Sequence, residues 1–153
     1  MPKRSAGILM FRRREAEIEV LLVHPGGPFW AKKDAGAWMI PKGEYSEDED
    51  ALAVAKREFE EETGARPHDH FLALGEVTQA GRKLVTVWGL EGDFDPATLS
   101  SNRFELEWPP KSGRKASFPE VDRAQWFSPV EARQKILPSQ REFITRLLAA
   151  LGV

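Results

Sequence analysis

Residues 43–65 read GEYSEDEDALAVAKREFEEETGA, and most of this stretch has the pattern of an amphipathic helix. Ser46 and Glu49 have the spacing of a capping box, so we predict a helix over residues 46–63. The acidic first turn suits the helix dipole, and Gly64 follows where a glycine commonly ends a helix.

Three carboxylates gather near the end of this predicted helix. Glu58 and Glu62 lie on one face, with Glu61 on its flank. Like charges at this spacing repel and cost a helix roughly a few tenths of a kcal/mol per pair. A hard divalent cation would reverse that sign, because Mg²⁺ takes oxygen ligands and is usually shared with substrate phosphates. Taken alone, the three glutamates are more typical of a solvated acidic helix than of a metal site.

The full spacing resembles the Nudix box, G-x5-E-x7-R-E-U-x-E-E-x-G-U, in which U is a bulky aliphatic or aromatic residue. The matching positions are Gly43, Glu49, Arg57, Glu58, Phe59, Glu61, Glu62 and Gly64. The last position departs from the pattern, because Ala65 is smaller than the usual Ile, Leu or Val. Trp38, Pro41 and Lys42 supply the W-x-x-P-K-G sequence that often precedes the box. So many matches at fixed spacing make chance agreement remote.

The resemblance implies an α/β fold, the Nudix α/β/α sandwich with a mixed central sheet. It also implies a Mg²⁺-dependent hydrolase, with Mn²⁺ able to substitute, that cuts a pyrophosphate bond. The implied metal ligands are the Gly43 carbonyl and the carboxylates of Glu58, Glu61 and Glu62. Arg57 would orient a glutamate by ion pairing. Glu49 would support the turn near the box, which is compatible with a capping role.

A second resemblance concerns residues 118–129, FPEVDRAQWFSP. In diadenosine polyphosphate hydrolases and RNA 5′-pyrophosphohydrolases, a glutamate precedes a strand that bears an aromatic residue, and Glu120 matches it. The resemblance implies that Glu120 is a further metal ligand or the general base, although an ordinary loop glutamate is the alternative. Because the base differs between branches of the family, Glu58 and Glu120 both remain candidates, and the number of metal ions is open.

Two loops carry candidate substrate contacts. The loop at residues 24–37 contains two aromatic residues followed by two lysines: Phe29, Trp30, Lys32 and Lys33. Cations beside aromatic rings suit a phosphate chain and a stacked base, although the rings could equally pack the loop onto the core. Lys42 is a further candidate phosphate contact. Residues 109–119 are predicted to form a mobile basic loop that is solvated rather than closed over substrate. The three histidines are too scattered to form a metal site.

The remaining pattern predicts one domain over residues 1–153, with no repeat and no linker. Strands are predicted at residues 8–11, 18–23, 38–40, 71–77, 84–90, 104–108 and 125–127. Two further helices are predicted at residues 129–136 and 140–151.

The composition restricts the possible partners. The 30% of charged residues, and the lack of any long apolar run, argue against a membrane protein. The net charge of −2 provides no general basic field, so we expect no stable complex with nucleic acid. The chain has no cysteine, which excludes disulfides and thiolate metal sites and fits a cytoplasmic location. The sequence does not indicate an oligomeric state.

The predicted reaction is hydrolysis of a nucleoside diphosphate linked to a further group. We favour a further phosphate or nucleotide, as in a nucleoside triphosphate or a dinucleoside polyphosphate. A nucleotide sugar such as ADP-ribose is the alternative, but the recognition residues usual in those branches are not found. A non-catalytic nucleotide-binding sensor is a third reading, although such domains usually lose box carboxylates and all of them are present here.

Overall fold

The computed structural model describes residues 3–68 and 70–153 of the chain. The strands and helices, in chain order, are β1 (Arg4–Arg14), β2 (Glu17–Pro25), β3 (Lys42–Tyr45), α1 (Ala51–Thr63), β4 (Leu72–Gln79), β5 (Lys83–Glu91), β6 (Arg103–Glu107), β7 (Lys115–Pro119), β8 (Val121–Phe127), α2 (Pro129–Lys135) and α3 (Arg141–Leu151). None of the helices in the described part of the chain is long and apolar enough to cross a membrane.

A mixed six-stranded sheet forms the centre of the fold. Its order is β4-β5-β1-β2-β8, and β3 pairs with the first half of β1. The β1–β5 pair is parallel and the other pairs are antiparallel. A separate antiparallel hairpin, β6–β7, lies outside this sheet.

Helices cover both faces of the sheet, as the alternation along β1 shows. Ile8 of β1 packs in a cluster with Phe59 of α1. Leu9, the next residue, packs in the opposite cluster with Phe143 and Leu147 of α3. A strand covered on both faces reads as a continuous apolar run, which is the pattern of β1 and β2. The α/β/α sandwich with a mixed sheet is therefore confirmed.

The predicted start of the first helix, at residue 46, is wrong. Helix α1 begins at Ala51, and its cap is Asp50, whose carboxylate accepts a hydrogen bond from the Ala53 N–H at 3.0 Å. The Glu49 carboxylate instead accepts from the Ser46 N–H at 3.0 Å and closes a turn before the helix. The capping-box spacing of Ser46 and Glu49 therefore belongs to this turn and not to the helix start. The helix begins later because Asp50 is also a strong cap and lies closer to the apolar stripe. The predicted end is correct, since Gly64 has the left-handed φ of 85°.

The prediction of a wholly irregular loop at residues 109–119 is also wrong. Strand β7 occupies its second half and pairs with β6 in register from Glu107↔Lys115 to Arg103↔Pro119. The physical reason is alternation: Ala116 and Phe118 are half-buried, whereas Lys115 and Ser117 are exposed. Residues 38–40, predicted as a strand, form only isolated bridges.

Candidate active site

Gly43 lies on β3, directly against the carboxylates of α1. A Cβ atom at this position would lie 2.1 Å from Cδ of Glu58, far inside van der Waals contact. One residue earlier, the Lys42 N–H donates a hydrogen bond to Oε2 of Glu62 at 3.1 Å. The backbone of β3 therefore holds two glutamates of the helix, and the close approach at Gly43 requires a residue without a side chain.

Glu62 is the most deeply buried of these carboxylates, with 7% of the residue exposed. Burial, and then the negative charges of Glu58 and Glu120, raise the pKa of Glu62 well above its usual range. Burial, and then the charge of Glu61, raise the pKa of Glu58. Ionised carboxylates in such surroundings are costly without a compensating cation.

Glu120 lies between β7 and β8, and a series of backbone hydrogen bonds fixes its position. The Asn102 N–H donates to the carbonyl of Glu61 at 2.8 Å, and the Glu120 N–H donates to the carbonyl of Asn102 at 2.7 Å. On its other side, the Gly26 N–H donates to the carbonyl of Glu120 at 2.9 Å. Burial, and then the charge of Glu61, raise the pKa of Glu120. The fold thus brings this distant glutamate into the electrostatic field of the helix carboxylates.

Arg57 joins three glutamates of the box. Its Nη1 lies 3.4 Å from Glu49 Oε2, its Nη2 lies 3.7 Å from Glu58 Oε1, and its Nε lies 3.8 Å from Glu61 Oε1. The guanidinium is half exposed, so each ion pair contributes little to stability. These distances are compatible with the role in orienting a glutamate that the resemblance implies for Arg57, which stays a prediction.

No three acidic or histidine side chains within residues 3–68 and 70–153 are gathered in an arrangement that could hold a metal ion as it stands. The reason lies in their present partners, since Glu58 and Glu61 pair with Arg57 and Glu62 bonds to the backbone of β3. The residues nevertheless fit a hard divalent ion. All the donors are oxygens, the Glu58 carboxylate lies directly against the backbone of Gly43, and the positive charge of Lys42 does not offset the burial that raises the pKa of Glu62.

The family follows from a match along almost the whole chain. The model of the NUDIX domain matches residues 1–147. The chain belongs to the Nudix family. It is therefore a Nudix pyrophosphohydrolase, an enzyme that acts on phosphorus-containing anhydrides, as the box predicted. No curated protein shows significant sequence similarity to it.

Solved structures with the same fold include several Nudix proteins. The NUDIX domain of Shewanella oneidensis NrtR, complexed with ADP ribose, has a TM-score of 0.68 and 18% identity, with 99% of this chain and 89% of that chain covered. The Ap4A hydrolase of C. elegans, in a binary complex, has a TM-score of 0.66 and 20% identity, with 98% of each chain covered. The MutT protein of Methanosarcina mazei Go1 has a TM-score of 0.63 and 20% identity, with 99% and 97% covered. At these identities the similarity establishes the fold alone.

In this Nudix hydrolase, the loop between β2 and β3 carries Phe29 and Trp30 outside the core. Phe29 is 60% exposed, and its ring packs edge-on against Trp108, with ring centroids 5.5 Å apart. The ammonium group of Lys33 lies 5.0 Å from the centroid of the half-buried Trp30 ring. Neither Phe29 nor Trp30 is part of the core. The alternative interpretation from the sequence, in which these two rings pack the loop onto the core, is therefore not supported.

The β6–β7 hairpin forms the other side of this region. The Phe104 ring approaches Gly27 so closely that a Cβ there would lie 3.0 Å from Cζ of Phe104. The cations near its tip are exposed: Lys111, Arg114 and Lys115. Sequence reasoning did not identify Trp108 as a site residue, although its place at the end of an alternating strand, before two prolines, sets it apart.

Proposed function

We propose that this Nudix hydrolase cuts a pyrophosphate bond in a nucleoside polyphosphate, either a nucleoside triphosphate or a dinucleoside polyphosphate, with Mg²⁺ as its metal and Mn²⁺ as a substitute. The observation that carries the proposal is a group of four carboxylates that interact electrostatically beside strand β3. Three come from one helix, and Glu120 is held beside them by the hydrogen bonds through Asn102.

The residues that would hold metal are the Gly43 carbonyl and Glu58, Glu61, Glu62 and Glu120. A bound divalent ion neutralises phosphate charge and activates water for attack on phosphorus. Arg57 holds the Glu58 and Glu61 carboxylates in place from the solvent side. Glu58 and Glu120 are both suited to accept the proton of the attacking water, because burial raises the pKa of each toward the working pH.

The proposed substrate class rests on two segments near Glu120: the loop between β2 and β3, and the β6–β7 hairpin. Lys32 and Lys33 are exposed and supply positive charge for a phosphate chain. Phe29 and Trp30 offer ring faces on which a base could stack, and Trp108 supports Phe29 from the hairpin. Lys42 lies beside the carboxylates, where burial lowers its pKa, and remains a candidate phosphate contact.

A nucleotide sugar of the ADP-ribose type is the second candidate substrate. The observation that favours it is the similarity in fold to the NrtR domain, which was solved with ADP ribose. The similarity to an Ap4A hydrolase supports the first candidate to the same degree. The paired lysines and aromatic rings near Glu120 suit either candidate substrate, because a nucleoside polyphosphate and a nucleotide sugar both carry a base and at least two phosphates.

A substrate screen tests the proposal. Purified protein in Mg²⁺ would be assayed with nucleoside triphosphates, dinucleoside polyphosphates, nucleotide sugars and capped RNA. We expect the highest kcat/KM with a triphosphate or a dinucleoside polyphosphate. A clear preference for ADP-ribose would replace the substrate class with the second candidate. Tight nucleotide binding without turnover of any substrate would indicate a nucleotide-binding sensor instead.

Glu120→Gln tests the distant carboxylate. We expect kcat to fall at least about tenfold, because the change removes a metal ligand or the base. The melting temperature of the metal-free protein should stay the same or rise, since the substitution removes a like charge near Glu61. Glu105→Gln, on an exposed position of the hairpin, is the matched control and should leave kcat unchanged. A lower melting temperature with normal kcat would show that Glu120 is structural.

A further inference from the structure

His24 lies at the end of β2 and has no exposed surface. Its Nδ1 lies 2.8 Å from Oδ1 of Asp122, and its Nε2 lies 2.6 Å from the carbonyl oxygen of Lys33. A buried polar ring must find all its partners within the protein, and this ring finds one for each nitrogen.

The Lys33 carbonyl determines that one particular ring nitrogen of His24 carries a proton. A carbonyl oxygen can only accept, so Nε2 carries a proton and donates to Lys33. On the other side of the ring, Nδ1 is within hydrogen-bond distance of the Asp122 carboxylate. Arg123 lies 3.7 Å from the same carboxylate oxygen. Asp122 and the Lys33 carbonyl therefore hold the His24 ring from its two sides.

This network fixes a short segment of the loop between β2 and β3. His24 holds the carbonyl of Lys33, and the next residue, Asp34, accepts a hydrogen bond from the indole N–H of Trp38 at 2.8 Å. The Lys33 N–H donates to the carbonyl of Trp30 at 2.9 Å, while its ammonium group remains exposed beside the Trp30 ring. The backbone at Lys33 is thus held from both sides, although its side chain faces solvent.

We propose that His24 is a positioning residue for substrate binding. Paired with Asp122, it fixes the segment that carries Lys32 and Lys33 relative to the strand that begins beside Glu120. Preorganising a cationic loop reduces the ordering cost of binding, so the effect falls on affinity for the polyphosphate chain and not on bond cleavage. The inference rests on the proposed function, because it assigns these lysines to the substrate.

Two amide substitutions separate the two hydrogen bonds. His24→Gln places an amide nitrogen near the former Nε2 and can keep the donor to Lys33. His24→Asn places one near the former Nδ1 and can keep the contact with Asp122, but loses Lys33. Both variants also lose the ring that packs edge-on against Trp38 at 5.2 Å. They should therefore lose similar amounts of melting temperature, and an affinity lower in His24→Asn than in His24→Gln would follow from the lost Lys33 contact.

We expect His24→Asn to raise KM for the best nucleotide substrate by about three- to tenfold, the range for one lost hydrogen bond. Its kcat should stay within about twofold of the wild type. His24→Gln should leave KM nearly unchanged. Equal KM values in the two variants, or a loss confined to kcat, would overturn the inference.

Binding of inorganic tripolyphosphate, measured by calorimetry, gives a second readout that does not need turnover. The dissociation constant should rise in His24→Asn and not in His24→Gln. If the wild type hydrolyses no nucleotide, the proposed function fails, and this measurement still decides the inference.

His24→Phe covers the case in which His24→Asn does not fold. It keeps an aromatic ring beside Trp38 but has no donor for the Lys33 carbonyl, so we expect weaker tripolyphosphate binding in this variant too. Unchanged binding in His24→Phe would overturn the inference.

Discussion

Glu58→Gln and Glu61→Gln are each expected to lower kcat by about 10²–10⁴, the range for losing a positioned base or a metal-bound water. Both substitutions keep the side-chain volume and remove the charge. Glu58 lies against Gly43, and Glu61 pairs with Arg57 next to the hydrogen bonds that place Glu120. Steady-state kinetics at saturating Mg²⁺ would measure the loss.

The fold should survive both changes, because removing like-charge repulsion does not harm a helix. Glu60→Gln is the matched control on the same helix, since Glu60 pairs with Arg66 and points away from the site. We expect its kcat to stay within about twofold of the wild type, as for most surface substitutions. Near-normal kcat in both Glu58→Gln and Glu61→Gln would contradict the assignment of these carboxylates.

The part of the site that could be predicted is the part that one helix carries. Helical geometry fixes the relation of Glu58, Glu61 and Glu62 from their spacing alone. The place of Gly43 beside them depends on the turn before α1, which the box pattern supplied. The exact start of the helix could not be predicted, because Ser46 and Asp50 are both good caps and the difference between them is small.

The remaining features depend on contacts between distant residues, for which the sequence has no periodic signal. His24 and Asp122 are 98 positions apart, and nothing local marks them as partners. Trp108 and Phe29 meet only because the β6–β7 hairpin lies against the loop between β2 and β3. Glu120 was predicted from a resemblance, and no property of its own segment indicated that Asn102 would connect it to Glu61.

Removing divalent metal with EDTA is expected to abolish turnover, and added Mg²⁺ or Mn²⁺ to restore it. The proposed ligand set consists of oxygens only, which suits these hard ions. Undiminished turnover in chelator would contradict a metal-dependent mechanism for this chain.

Thermal unfolding provides a measurement that is independent of activity. In the metal-free protein, burial raises the pKa of Glu62 well above its ordinary value of 4.5. The folded state then binds more protons than the unfolded state, so stability falls as pH rises from 4.5 through the folded pKa. A metal that binds the ionised carboxylates of the folded state adds stability by mass action. The increase in melting temperature caused by Mg²⁺ should therefore be small at acidic pH and grow as pH rises.

Glu62→Gln isolates this effect, because the neutral amide keeps the shape of the buried side chain and its acceptor for the Lys42 N–H. Without metal, this variant should be more stable than the wild type at alkaline pH and should vary less with pH, since the buried charge is gone. It should also lose most of the increase in melting temperature on adding Mg²⁺. A wild-type melting temperature that Mg²⁺ does not change at any pH would contradict the metal assignment. A metal-free Glu62→Gln protein less stable than the wild type at alkaline pH would show that the Glu62 carboxylate stabilises the fold by itself.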